Sequence, residues 1–138
     1  LGWYAMRIGC VPVDRGKRGA AIAQMKADVD SGLSLPGQLI IYPQGTRVAP
    51  GAQRSYKIGT AVLYSQLEQP CVPVACNVGV FWPRRAIYRK PGLAVIEFLP
   101  EIAPGAEDAA FMAELETVVE TASNTLMADA GFEVQVER

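Results

Sequence analysis

The sequence predicts an α/β fold, a mixed and largely parallel sheet flanked by helices. Three observations lead there. Half of the 138 residues are apolar and a fifth are charged, and a chain of this length buries roughly two thirds of its unfolded surface, enough for one core. Apolar runs of strand length alternate with segments of helical period, in the order β-α-β-α-β-β-α. Helices between strands require crossovers, and these lie on the faces of parallel sheet. No repeat or low-complexity linker divides the chain, so residues 1–138 read as a single domain.

Each element has its own justification. Ile8–Val13 is a short apolar run suited to a buried strand. From about Gly16 to Val29, Ile22, Met25 and Val29 recur three and four apart, the spacing of one helical face. Asp30-Ser31-Gly32 ends that helix, and Pro36-Gly37 is a turn. Gln38–Tyr42 is apolar on successive residues, as in a strand buried on both faces, and Pro43 stops it. Gln44–Ser55 is a polar loop with Pro50-Gly51 at its middle. Lys57 to about Leu67 reads as a helix carrying Ile58, Ala61, Val62 and Tyr64. Cys71–Cys76 is the next strand. Its Pro73 has no amide to donate, so this strand lies at an edge or starts late. Arg84–Lys90 is a basic turn, and Leu93–Leu99 is a further strand. In the long helix Glu107–Ala128, Phe111, Leu115, Val118, Ala122 and Leu126 form one stripe, with Gly131 as C-cap. The tail Phe132–Arg138 alternates, as a short strand or a frayed end would.

Composition narrows the chemistry. There is no histidine, so the chain supplies no imidazole base and no histidine ligand for zinc. Net charge is −1, but residues 1–100 hold twelve Lys/Arg against five Asp/Glu, and residues 101–138 hold one against nine. A basic body suits an anionic ligand or a membrane surface; a solvated acidic helix beside an ordinary surface gives the same counts. The acidic end and a pI near 5.5 argue against nucleic acid. Cys10, Cys71 and Cys76 are odd in number and lack C-x-x-C spacing, so they read as buried, reduced thiols. The longest charge-free stretches, Ser31–Thr46 and Gln69–Pro83, fall short of the ~18–20 residues that span a bilayer, and both contain proline. The chain starts at Leu1 without a methionine, as a piece of a longer protein would.

Two clusters carry possible site chemistry. In Val13-Asp14-Arg15-Gly16 a strand runs into a helix, whose free N–H groups attract anions. Arg15 adds a planar donor fork that matches phosphate, and Gly16 permits close approach. The structural alternative has Asp14 as helix cap and Arg15 in solvent. In Tyr42-Pro43-Gln44-Gly45-Thr46-Arg47 a rigid turn, a glycine, a hydroxyl and a guanidinium follow a strand, with Arg54 and Lys57 close behind. These parts can build an anion cradle or only a surface turn. In α/β sheets ligands sit beyond the carboxyl ends of strands, where both clusters lie. Neither G-x-x-x-x-G-K-[ST] nor G-x-G-x-x-G is present. Asp28–Gly32 has its glycine one place too early for a calcium loop, and Glu114 and Glu116 read as a solvated helix face.

Gly9-Cys10-Val11-Pro12-Val13-Asp14-Arg15, Tyr42-Pro43-Gln44-Gly45-Thr46-Arg47 and Val72-Pro73-Val74-Ala75 resemble, in order, the second, third and fourth sequence blocks of the glycerolipid acyltransferases. The bacterial 1-acylglycerol-3-phosphate acyltransferases are the most similar branch. Gly2-Trp3-Tyr4 and Phe81-Trp82-Pro83-Arg84-Arg85 also look like the bacterial enzymes. The family's first block, a histidine and an aspartate with four residues between them, has no counterpart here. The resemblance therefore implies an acyltransferase-like domain incomplete at its N-terminus, without the catalytic base. It implies acyl transfer from an acyl-carrier-protein or coenzyme A thioester to 1-acylglycerol-3-phosphate (lysophosphatidate), giving phosphatidate. No cofactor or metal is implied, and the expected location is the cytoplasmic face of the inner membrane. Arg15, beside Asp14, would hold the acceptor phosphate. Gly45, Thr46 and Arg47 would shape and charge the same pocket, and Pro73 would help form its acyl-side wall. The third block usually has glutamate where this chain has Gln44. Glutamine retains the shape and the acceptor oxygen but not the charge. That suits a residue that orients the loop by hydrogen bonds and does not suit one that transfers a proton.

A second function class fits the same residues. A non-catalytic module could bind anionic lipid head groups at a membrane surface through Arg15, Arg47 and the Arg84–Lys90 turn, with Phe81 and Trp82 alongside.

Overall fold

The computed structural model describes residues 39–83 and 87–132, together with Ala27. The chain divides into two compact units, Leu1–Ile41 and Tyr42–Arg138. In the first, Ala27 is helical, as expected within Gly16–Val29. The expected strand Ile8–Val13 lies outside the described residues, as do the terminal residues 133–138. Leu39–Tyr42 differs from expectation: it has no regular structure and is exposed. A strand requires a ladder partner, which an apolar run does not by itself provide, and none pairs with this segment among the described residues.

The second unit runs α1 (Gly59–Leu67), β1 (Val74–Cys76), α2 (Val78–Phe81), β2 (Ile96–Phe98) and α3 (Asp108–Asp129). Strands β1 and β2 pair antiparallel, with Val74 opposite Phe98, Ala75 opposite Glu97 and Cys76 opposite Ile96. The Leu99 N–H donates to Pro73 O at 2.9 Å, and Cys71 and Ile102 exchange two bonds of 3.0 and 2.8 Å further along. The α/β class holds. The large parallel sheet does not appear among the described residues, whose sheet is this antiparallel pair. A parallel return needs a long crossover, and among the described residues no helix longer than α2 lies between β1 and β2. Strand β1 does begin after Pro73, as the missing amide requires.

The helix ends follow from local chemistry. Helix α1 stops at Glu68, whose backbone turns left-handed (φ 49°) as its N–H reaches back to Tyr64 O at 3.2 Å. Helix α3 opens at Glu107, whose carboxylate accepts from Ala110 N–H at 3.3 Å. It closes in a Schellman motif, with Gly131 at φ 77°. The Gly131 N–H reaches Ala128 O, and the Phe132 N–H reaches Met127 O. The sequence had pointed to Gly131 for this reason.

Helices α1 and α3 meet at an aromatic joint and at a hydrogen bond from the Ser65 hydroxyl to the Asp108 carboxylate. The Tyr64 and Phe111 rings stack nearly parallel, with centroids 3.7 Å apart. Tyr56, Ala61, Ile102 and Leu115 complete the buried cluster. The Tyr64 hydroxyl is satisfied inside it, donating to Ala103 O and accepting from Ala106 N–H at 3.1 Å. Along α3 the buried positions are Phe111, Leu115 and Met127, and Val119 packs against the cluster; Val118, Ala122 and Leu126 are half-buried. Steps of three and four both fit one helical face, and packing selects the step from 115 to 119.

The sheet has unequal faces. Pro73, Ala75 and Asn77 are buried on the side of α3, while Val72, Val74 and Cys76 alternate onto an open face with Ile96 and Phe98. This overturns the expectation of buried thiols: Cys76 is exposed and Cys71 half-buried, and both are free. Their apolar neighbours predicted burial, but strand alternation places Cys76 opposite in direction to Ala75. Partial burial still pushes the Cys71 thiol pKa up. Cys10 lies outside the described residues. No helix among the described residues is long and apolar enough to cross a membrane.

Candidate functional site

The third-block residues form a turn built from their own sequence. Pro43 fixes the first bend of Tyr42–Gly45, and the Gly45 N–H donates to Tyr42 O at 2.9 Å. Gly45 takes φ 68°, a conformation that favours glycine. The Lys57 N–H donates to Pro43 O at 2.8 Å and closes the loop at its neck. A second turn lies at the loop tip. There the Ala52 N–H donates to Ala49 O, and Pro50 followed by Gly51 at φ 76° is the pair a type II turn requires.

The side chains sort by polarity. Arg47, Arg54 and Lys57 are exposed, and Thr46 is half-buried. The stem of Lys57 lies alongside Gly45, since a β-carbon there would stand 3.6 Å from Lys57 Cγ. Lys57 therefore lies beside the turn, Arg47 and Arg54 are exposed in the same loop, and Tyr42 is exposed at the start of the turn. Such a turn can attract an anion and let it approach the backbone.

Gln44 faces α3. Its Nε2 donates to Glu120 Oε1 at 3.3 Å, and the Tyr56 hydroxyl donates to the same oxygen at 2.9 Å. One carboxylate thus fastens the start and the end of the loop. Burial pushes the Tyr56 phenol well above its usual range, helped by the bond to Glu120 and by the charges of Glu120 and Glu116. Sequence reasoning missed Glu120, because a carboxylate on a helix looks like any solvated one. Only the pairing across the fold distinguishes it.

Pro73 sits elsewhere on the same support. It is buried just before β1, and Asn77, just after that strand, reaches α3 through a bond from Nδ2 to Leu126 O at 3.2 Å. Glu120 and Leu126 are about 9 Å apart along a helix that rises 1.5 Å per residue. Helix α3 therefore backs both the third-block turn and the fourth-block strand. Asp14 and Arg15 lie outside the described residues, as do Arg84 and Arg85 of the basic turn. A shallow cavity of about 380 Å³, lined by Tyr64, Ser65, Glu68, Pro104, Gly105 and Ala106, contains none of the motif residues.

No solved structure matches the chain. A curated 1-acyl-sn-glycerol-3-phosphate acyltransferase of Pseudomonas aeruginosa is 26% identical to it over 129 residues, which cover 94% of this chain and 50% of that protein. The chain thus spans about half the length of that relative. The Acyltransferase family model matches residues 1–77, more than half of the sequence and the part that carries all three blocks, so the chain belongs to the acyltransferase family.

Proposed function

We propose that this chain forms the acceptor side of a 1-acylglycerol-3-phosphate acyltransferase. The reaction moves a fatty acyl group from an acyl-carrier-protein or coenzyme A thioester to the free hydroxyl of lysophosphatidate, giving phosphatidate and the free thiol. A base removes the hydroxyl proton, the alkoxide oxygen attacks the thioester carbonyl, and the tetrahedral intermediate expels the thiolate. The base comes from outside these 138 residues, which contain no histidine. Arg15, with Asp14 beside it, holds the acceptor phosphate. Gly45, Thr46 and Arg47 complete that site, and Pro73 borders the acyl chain. The setting is the cytoplasmic face of the inner membrane.

The observation that carries this reading is the family match over the three ordered blocks. The turn geometry supports it. Gln44 is bonded to Glu120, which suits the orienting role, and the loop's cations Arg47, Arg54 and Lys57 are exposed.

The test is acyl transfer to lysophosphatidate by the parent polypeptide with its upstream residues present. Arg15→Ala is expected to weaken acceptor binding by about 1.5–3 kcal/mol, the usual worth of hydrogen bonds to a charged group. The 138-residue chain alone is expected to show little turnover, since a general base typically supplies ~10²–10⁴-fold. Unchanged acceptor affinity in Arg15→Ala, or strong turnover by the chain alone, overturns the assignment of roles.

A further inference from the structure

We propose that Trp82, Ile87, Tyr88, Arg89, Lys90 and Leu93 form a preordered surface that docks on an anionic phospholipid bilayer. This adds a contact surface to the lipid-acceptor reading above and rests on that reading for the choice of lipid.

The segment between β1 and β2 is fastened at its neck. Asn77 is buried, and its Oδ1 accepts from Val95 N–H at 2.8 Å, while its own N–H donates to Val95 O at 3.3 Å. Its Nδ2 reaches both Leu93 O and Leu126 O. Further out, the Lys90 N–H donates to Phe81 O at 2.8 Å. Gly92 lies so close to the Phe81 ring that a β-carbon there would fall 1.9 Å from Cε1. Among the described residues, the backbone is therefore fastened at Asn77, Phe81, Lys90 and Val95 by bonds that the displayed side chains do not make.

Those side chains are of two kinds. Ile87 is 88% exposed, Tyr88 89% and Leu93 78%, with Trp82 at 46%. Arg89 and Lys90 are exposed beside them, and the Arg89 guanidinium carbon lies 4.1 Å from the centre of the Trp82 ring. Between Glu68 and Glu97 the only charged residues in the sequence are Arg84, Arg85, Arg89 and Lys90. The stretch of sequence that carries the surface thus contributes cations and no carboxylate. Exposed aliphatic groups would enter the acyl boundary, tryptophan and tyrosine sit at head-group level, and cations pair with anionic lipid. A protein partner would need a matching acidic, apolar surface, whereas an anionic bilayer offers both features everywhere. The surface also adjoins the candidate site, because Gly79 of α2 lies against Pro50 at the tip of the Gln44–Tyr56 loop.

The test is co-sedimentation of the 138-residue chain with phosphatidylglycerol-containing and with pure phosphatidylcholine vesicles, without acyl donor. Binding is expected to be at least tenfold tighter to the anionic vesicles and to weaken with salt. Arg89→Gln combined with Lys90→Gln should reduce it roughly 30-fold, at about 1 kcal/mol per cation. Ile87→Ser combined with Tyr88→Ser alters only exposed side chains and should reduce it roughly tenfold or more. In a Trp3→Phe background, Trp82 is the sole tryptophan, and its emission should shift to the blue on anionic vesicles. Equal binding to both vesicle types overturns the proposal. So does unchanged binding in either double variant, or a Trp82 spectrum indifferent to vesicles. Vesicle binding alongside a parent enzyme that does not acylate lysophosphatidate would keep this surface and remove the function proposed above.

Discussion

At Phe111, α3 meets α1 through a ring with no exposed surface, stacked on Tyr64. Further along the same helix, at Glu120, it meets the Gln44–Tyr56 loop through a single carboxylate oxygen. The first junction is held chiefly by excluded water and close packing around a satisfied hydroxyl, and at its exposed edge the Ser65 hydroxyl donates to the Asp108 carboxylate. The second is held by hydrogen bonds to a carboxylate, one of them donated by the Tyr56 phenol, whose pKa is raised. One helix thus supports an apolar junction and a polar one, and Gln44 of the third block belongs to the polar one.

The largest effect should come from the apolar junction. Phe111→Ala is expected to cost about 3–5 kcal/mol, read as a lower urea midpoint. That is a large part of the 5–15 kcal/mol that typically holds a domain. A loss below 1 kcal/mol would break the comparison, since the stacked pair would then not be the main joint.

The polar junction should show itself in alkali. The Tyr56 phenol is neutral in the fold at pH values where it ionises in the unfolded chain, because its folded pKa is raised above 10.0. Its contribution is therefore fully present below about pH 10 and is lost as pH rises beyond it. Tyr56→Phe should cost about 1.5 kcal/mol at neutral pH, at the low end for a bond to a charged acceptor because Glu120 keeps Gln44 and is itself half-buried. The variant should also lose stability less steeply above pH 10 than the parent. Parallel curves in alkali would remove Tyr56 from the polar junction.

The smallest effect tests whether the end of α1 carries strain apart from either junction. Glu68 is left-handed without being glycine. Glu68→Gly should raise stability by about 0.5–1 kcal/mol, relief of the steric term less the added chain entropy. A decrease would mean that the Glu68 side chain holds the helix end.

Periodicity made the helices legible. Ala61 and Tyr64 marked the buried face of α1, and Phe111 and Leu115 that of α3, because burial repeats along the chain as the helix does. Gly131 was legible because only one conformation ends such a helix well. Helix α2 was missed: it is one turn, Val78–Phe81, with a glycine inside it, too short to establish a period. Gln38–Tyr42 looked like a strand from its apolar run, but a ladder is a property of two segments. The Gln44–Arg47 turn was legible through Pro43 and Gly45. Its fastening to Glu120 was not, since that bond joins residues 76 positions apart.

That distance has an evolutionary consequence. Gln44 donates to Glu120, so a glutamate in place of Gln44 would set two carboxylates against each other at the same contact. The two positions are therefore constrained as a pair, each limiting what the other can become. Among related sequences, glutamate at the position of Gln44 should be accompanied by a neutral or basic residue at that of Glu120, and glutamine there by a carboxylate. On that expectation, a residue that looks like a local departure from a motif is one half of a correlated exchange, with its other half on a helix outside the motif.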